Sequence, residues 1–197
     1  MSNNIKKGKK IFKICVLGDN KVGKSFFINS YLTSVNQKNI KLFNDKNKIE
    51  ITKQFKNQNY VIKITEFSSK EEKNIKEKLD ESNCVFIIFN MNDRDSFDNL
   101  FNKWIIFLRE NIHYDRLIII LGNYYNINLK NKFLITDEDE MKKLSEISEV
   151  KFIFYEIGNK TKEEKIELID NLIKEAEEYE IKEGISDKKR NEKCQIF

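Results

Sequence analysis

Short apolar runs alternate with amphipathic segments along most of the chain. Six runs have the length and the β-branched or aromatic composition of strands, and they span residues 11–17, 49–55, 60–67, 84–90, 117–122 and 151–156. Only a polar turn around Asn57 and Gln58 separates the second run from the third, which predicts a hairpin. Helix-length segments separate the others. The pattern therefore predicts an α/β fold with a six-stranded, mostly parallel sheet and one antiparallel strand.

The segments between these runs repeat apolar residues every three or four positions, as amphipathic helices do. Helices are predicted at about residues 23–32, 70–81, 96–111, 137–147 and 160–179. The runs at 85–89 and 117–121 are apolar at every position, so we expect helices on both faces of the sheet. The hydrophobic pattern stops near residue 180. We therefore expect a basic extension over 1–10, one folded domain over 11–179 and a flexible tail over 180–197.

Composition and charge indicate the cellular compartment and the class of partner that we expect. No apolar stretch approaches the roughly 20 residues that cross a bilayer, and the polar, basic residues 1–10 do not resemble a secretory signal. Three scattered cysteines suggest no disulfide framework, so a cytosolic protein is expected. The net charge of +4 is concentrated at the two ends, which favours an anionic surface over a nucleic-acid groove.

A glycine-rich motif lies between the first strand and the first helix. It consists of Gly18, Asp19, Asn20, Lys21, Val22, Gly23, Lys24 and Ser25. In such a loop the glycines let consecutive N–H groups face one concavity, the lysine reaches the terminal phosphates and the serine hydroxyl ligates Mg²⁺. The motif predicts a nucleoside triphosphate with magnesium, and it leaves open which base is bound and whether anything is hydrolysed.

The order of elements and this loop resemble the small GTPases of the Ras superfamily, over about residues 10–178. Residues 89–100 followed by Trp104 are most similar to the Rab branch. The resemblance implies a P-loop NTPase G domain over 11–179, binding GTP or GDP with Mg²⁺ as a monomer, and effector and exchange proteins as partners. It implies that nucleotide is bound by Gly18, Asn20, Lys21, Val22, Gly23, Lys24, Ser25, Phe26, Asn123, Tyr124, Asn126, Gly158, Asn159 and Lys160.

The base-recognition residues depart from the family pattern. Asn126 stands where the family has an aspartate that accepts two hydrogen bonds from guanine, so one bond is lost, at a cost of about 1 to 3 kcal/mol. Tyr124 replaces a lysine and could stack on the base edge. Asn36 replaces an aromatic residue that commonly stacks on the base. The motif ending at Lys160 is kept and favours a purine with a carbonyl group.

The switch residues depart further. Phe43 falls on the position of the family's Mg²⁺-binding threonine, and Thr52 could replace it only if the loop took a different path. Glu66 keeps a carboxylate near the metal, so Ser25 and Glu66 are the expected metal residues. Lys70 replaces the glutamine that orients the attacking water.

The phosphate loop itself also bears on turnover. Asn20 and Lys21 stand where the family has small residues, and their side chains would crowd an activating arginine. Lys24 remains to stabilise charge during phosphoryl transfer, as the one catalytic residue expected. We therefore expect slow hydrolysis that responds little to an ordinary activating protein.

The chain ends in Cys194, Gln195, Ile196 and Phe197, which fits a C-a-a-X box with a preference for geranylgeranyl at Cys194. One lipid needs a second membrane signal, and the basic residues in 188–193 could supply it through anionic lipids. Rab proteins usually end in two cysteines, so this tail is closer to Ras or Rho. We expect a peripheral protein on the cytosolic face of a membrane.

Two other functions compete with a membrane-associated GTP-binding protein in vesicle traffic or signalling. A non-catalytic pseudo-GTPase scaffold would fit the altered residues Phe43, Ser69 and Lys70. A P-loop kinase would fit the loop alone, but the chain shows no acceptor-substrate lid.

Overall fold

A single seven-stranded sheet organises the domain. The computed structural model describes residues 9–42, 48–55, 58–67, 75–111, 117–123, 152–156 and 161–182. The strands are β1 (Lys10–Leu17), β2 (Ile40–Leu42), β3 (Lys48–Phe55), β4 (Gln58–Glu66), β5 (Cys84–Asn90), β6 (Leu117–Asn123) and β7 (Phe152–Glu156), in the order β2-β3-β4-β1-β5-β6-β7. Strand β3 runs antiparallel to both of its neighbours, and the other pairings are parallel.

The α/β fold and all six predicted strands are confirmed, and β2 is an additional short strand at the edge. It has only three residues and pairs Leu42 with Ile49 across the sheet. So short a segment has no measurable periodicity of its own, which is why the sequence pattern did not reveal it.

The described helices are α1 (Lys24–Ser34), a 3-10 turn (Gln37–Asn39), α2 (Ile75–Glu81), α3 (Arg94–Asn99), a π-helix (Leu100–Ile105), α4 (Ile106–Asn111) and α5 (Lys162–Lys182). The predicted helix at 96–111 begins two residues earlier, because the Asp93 carboxylate caps the N–H groups of Asp95 and Ser96. Helix α5 begins at a capping box in which Thr161 and Glu164 bond each other's backbone N–H groups.

Alternating side chains of the central strands divide the core between the two faces of the sheet. On β1, Phe12, Ile14 and Val16 pack with α1 and α5, while Cys15 and Leu17 pack with α2, α3 and α4. Strands β5 and β6 follow the same alternation. Helices therefore cover both faces, as their uniformly apolar sequences predict.

Parallel pairing brings the carboxyl ends of four strands to one edge. Val16 lies opposite Glu66, Leu17 opposite Ile87 and Asn90 opposite Asn123. The phosphate-loop motif follows β1 at this edge, so the strands place it between Glu66 and Asn123. In the described part of the chain, no helix is long and apolar enough to cross a membrane.

Candidate functional site

The loop after β1 makes its turn with positive φ angles. Gly18 has φ of 137° and Gly23 has φ of 100°, values that favour glycine because it lacks a Cβ. A Cβ on Gly18 would lie 2.2 Å from the carbonyl oxygen of Ile88, so β5 approaches the loop too closely for any other residue. Lys21 also has a positive φ, of 64°, and lies exposed with Asn20 at the loop tip.

Lys24 lies inside the loop. Its side chain is buried, and its ammonium donates to the carbonyl oxygens of Gly18 at 2.9 Å and of Asp19 at 2.7 Å. An ammonium has three N–H donors, so one remains for a phosphate oxygen. Burial lowers the pKa of Lys24, and the nearby carboxylates of Glu66 and Asp19 oppose that shift. The loop therefore holds a buried cation pointed across its own concavity.

Ser25 and Glu66 meet at the first turn of α1. The Ser25 hydroxyl donates to Glu66 Oε1 over 2.7 Å. Neighbouring ligands of octahedral Mg²⁺ lie about 2.9 Å apart, so these two oxygens have a spacing and a chemistry that fit the ion. Among the described residues, no group of three or more His, Cys, Asp and Glu could hold a metal. The protein would thus supply two oxygens, with phosphate and water completing the shell.

Asn123 ties β6 to the loop. Its side chain is buried, and Nδ2 donates to the carbonyl oxygen of Val22 over 3.0 Å. Its own carbonyl oxygen accepts from the N–H of Met91 over 2.7 Å, joining the ends of β5 and β6. The predicted base-recognition residue is therefore also a structural support of the phosphate loop.

Sequence reasoning missed the side chains that surround Asp19. Its carboxylate accepts from Asn99 Nδ2 at 2.8 Å and from the Trp104 indole N–H at 3.1 Å, and the Lys103 ammonium lies 3.6 Å away. The sequence predicts no contact between this helix and the loop. Two signals were available: a buried indole N–H needs an acceptor, and an aspartate in a phosphate loop needs donors that hold its charge.

Other predicted positions fall into two groups. Phe26 is 55% exposed in the first turn of α1, Asn36 accepts from the N–H of Lys38, and Thr52 lies within β3 opposite Val61. The remaining positions lie outside the described residues, and they are Phe43, Ser69, Lys70, Tyr124, Asn126, Gly158, Asn159, Lys160 and Cys194. Their predicted roles stay predictions.

Comparison with known protein families gives a match to this chain. A family model described as Ras family matches residues 13–178, which include the whole loop and all seven strands except the first residues of β1. No curated protein matches the sequence. Ras-family GTPases bind guanine nucleotides, generally with Mg²⁺. The chain therefore belongs to the Ras family of small GTP-binding proteins.

Proposed function

We propose that this protein is a Rab-like guanine-nucleotide switch that acts on the cytosolic face of a membrane, in vesicle traffic or signalling, and hydrolyses GTP slowly. The observation that supports it most is the buried Lys24 ammonium, which has two loop carbonyls as partners and a third N–H for phosphate. A buried cation in an amide-lined loop favours a polyphosphate strongly, because its charge is poorly solvated.

Each loop element has a role toward the nucleotide. Backbone N–H groups from Asn20 to Ser25 would receive the phosphates at the amino end of α1, where the helix dipole favours anions. Lys24 would neutralise the terminal phosphates. Ser25 and Glu66, 2.7 Å apart, would hold Mg²⁺ directly or through water, and the ion would balance phosphate charge.

Slow hydrolysis is supported by the sequence at two switch positions. Lys70 cannot accept a hydrogen bond from an attacking water as the family's glutamine does, and Phe43 cannot ligate the metal. Charge stabilisation by Lys24 and Mg²⁺ would remain. We expect single-turnover hydrolysis well below the rate that is typical of the family.

Nucleotide binding is tested by titrating the Mg²⁺-containing protein with GTP, GDP, XTP and ATP. We expect GTP and GDP to bind and ATP not to bind. The Asn126→Asp variant should bind GTP more tightly by about ten- to a hundredfold, because it regains the lost hydrogen bond. Asn131→Asp makes the same charge change five positions further along the sequence and should leave the affinity unchanged. If no nucleotide binds, the proposal is wrong.

Membrane attachment is tested separately. Protein geranylgeranylated at Cys194 should float with vesicles of phosphatidylserine and phosphatidylcholine, and less with phosphatidylcholine alone, because the basic tail contributes electrostatic attraction. The Cys194→Ser variant should not float. Equal flotation by that variant would contradict lipid anchoring.

One observation favours the scaffold alternative. Glu66, at the end of β4, is bonded to Ser25 of the loop, and this contact needs no terminal phosphate. A scaffold would bind its partners equally with GTP, with GDP or with neither. Partner pull-downs at saturating GTP and GDP separate the two functions, since a switch binds its effectors preferentially with GTP.

A further inference from the structure

Asp19 places a negative charge in a loop that the family uses to bind anions. Its side chain is about one-fifth exposed, and it is held by Asn99, Lys103 and Trp104. A carboxylate free to turn toward the loop would repel phosphate. Two charge-assisted hydrogen bonds and a nearby ammonium hold this carboxylate against the helical segment 94–111.

The unusual helix geometry explains how three side chains reach one carboxylate. In a regular α-helix, positions five apart point about 140° away from each other, so Asn99 and Trp104 would not share a face. The wide π-helix turn at Leu100–Ile105 brings positions five apart together. The Lys103 ammonium also lies 4.6 Å from the centre of the Trp104 ring. Such turns are frequent at functional sites.

Asp19 accepts hydrogen bonds through both its side chain and its backbone carbonyl. Its carboxylate contacts the helical segment 94–111, while its backbone carbonyl accepts from the Lys24 ammonium at 2.7 Å. A change in the helix contact would therefore act on the residue that supplies one of the two carbonyls bonded to Lys24. One residue, bonded by a hydrogen bond on each side, therefore links Trp104 to the phosphate-binding cation.

We propose that Asp19 is a positioning residue through which Asn99 and Trp104 set the orientation of Lys24, so that the helical segment 94–111 controls how fast nucleotide leaves. This inference rests on the proposed nucleotide binding. It assigns a role in nucleotide retention to Asn99, Trp104 and the π-helix at Leu100–Ile105. Side chains that only pack in the core would have no such role.

The test compares release of a fluorescent GDP analogue, displaced by excess GDP in the presence of Mg²⁺, from the full-length protein and three variants. Trp104→Phe removes the indole N–H and keeps an aromatic ring, and Asn99→Ala removes the other donor. Each should speed release by about tenfold, the effect of losing one hydrogen bond to a charged group. The control is Leu108→Val, which disturbs the same buried cluster without touching Asp19.

The outcomes separate positioning from packing. Faster release in both donor variants, with unchanged release in Leu108→Val at a matched loss of thermal stability, supports the proposal. Unchanged release in both donor variants overturns it, and so does equally fast release in the control. If the wild-type protein binds no nucleotide, the proposed function itself fails, which is a different result.

The chain supplies an internal probe as well. Trp104 is the sole tryptophan, and its indole N–H is bonded to the phosphate loop. Binding of GDP should therefore change the emission of the wild-type protein. Emission that stays constant at saturating GDP would contradict coupling between Trp104 and the loop.

Discussion

Two networks of partly buried acidic side chains lie in different parts of the molecule, and they are called here the Asp19 network and the α5 network. At the phosphate loop, the Asp19 carboxylate is held by donors from the helical segment 94–111. In the α5 network, Asp170 of α5 pairs with Lys53 of β3 at 2.5 Å, and the Tyr60 hydroxyl of β4 donates to Glu177 of α5 at 3.1 Å. The exposed fractions of the acidic side chains are also similar: 20% for Asp19, 19% for Asp170 and 17% for Glu177.

The difference lies in what each network touches next. The Asp19 network continues through one carbonyl to Lys24, whereas the α5 network joins the β3–β4 hairpin to a helix and contacts no loop residue among those described. Carboxylates of similar burial therefore lie in different structural contexts. We expect the first network to affect ligand release and the second to affect stability alone.

The largest expected effect on stability is at Gly18, the residue before Asp19 in the loop. Gly18→Ala would place a Cβ 2.2 Å from the Ile88 carbonyl at a φ of 137°. Strain of this kind costs about 1 to 3 kcal/mol before any displacement of β5, so we expect a loss above about 2 kcal/mol in the free energy of unfolding. Urea denaturation measures it.

The matched control for Gly18→Ala is Ile88→Val, which removes one methylene from the strand that approaches Gly18. It should cost only about 0.5 to 1.5 kcal/mol and leave nucleotide binding intact. Gly18→Ala should abolish binding. A Gly18→Ala protein as stable as the wild type would mean that β5 does not constrain the loop.

The sheet could be predicted from the sequence because its central strands are buried on both faces. Strand β5 was predicted with the bounds that it has, Cys84–Asn90. The hydrophobic pattern does not define strand ends that begin with a polar residue: β3 and β1 begin at lysines one residue before the predicted starts. Helix α5 runs to Lys182, past the point where its apolar pattern fades, because a helix can continue into solvent after its packing ends.

Only the part of the site whose residues are close together in the sequence could be predicted. The loop motif places Lys24 and Ser25 within eight consecutive residues, so the sequence reveals them. The partners of Asp19 lie 80 and 85 positions away, and the π-turn that aligns them leaves no periodic signal. Such contacts depend on the packing of the helix onto the sheet, which sequence spacing does not specify.

A middle-sized effect is expected in the α5 network. Asp170→Asn removes the charge that holds Lys53, both side chains being about four-fifths buried, and we expect a loss of about 1 to 2 kcal/mol in the free energy of unfolding. Nucleotide release should not change, because no described hydrogen bond or ion pair joins Asp170 to a residue of the loop. Faster release would remove the distinction between the two networks.

The control for Asp170→Asn is Asp98→Asn. Asp98 pairs with Arg94 at 2.9 Å on the surface of α3, with both side chains about half exposed. Exposed pairs contribute about 0 to 1 kcal/mol, so this variant should lose less stability than Asp170→Asn. An equal loss would show that burial does not strengthen the Lys53 pair.

The smallest effect is a pH dependence that separates the two networks. Burial raises the pKa of Tyr60 to about 12, and the charge and hydrogen bond of Glu177 add to the shift. The folded pKa exceeds the ordinary value of 10.0, so the stabilisation is complete below about pH 10 and is lost as the pH rises through about 12. The Tyr60→Phe variant should lack this loss.

Alkaline titration of the free protein should therefore affect the loop before the hairpin. Burial lowers the pKa of Lys24, so GDP affinity should begin to fall at a pH below that at which Tyr60 ionises. Ultraviolet absorbance follows the ionisation of the tyrosines, and the difference between the wild type and Tyr60→Phe isolates the ionisation of Tyr60. Glu177→Gln should shift that ionisation toward pH 10 and leave the pH dependence of GDP binding unchanged. If the two pH dependences move together, the networks are coupled, and the separate roles assigned to them are wrong.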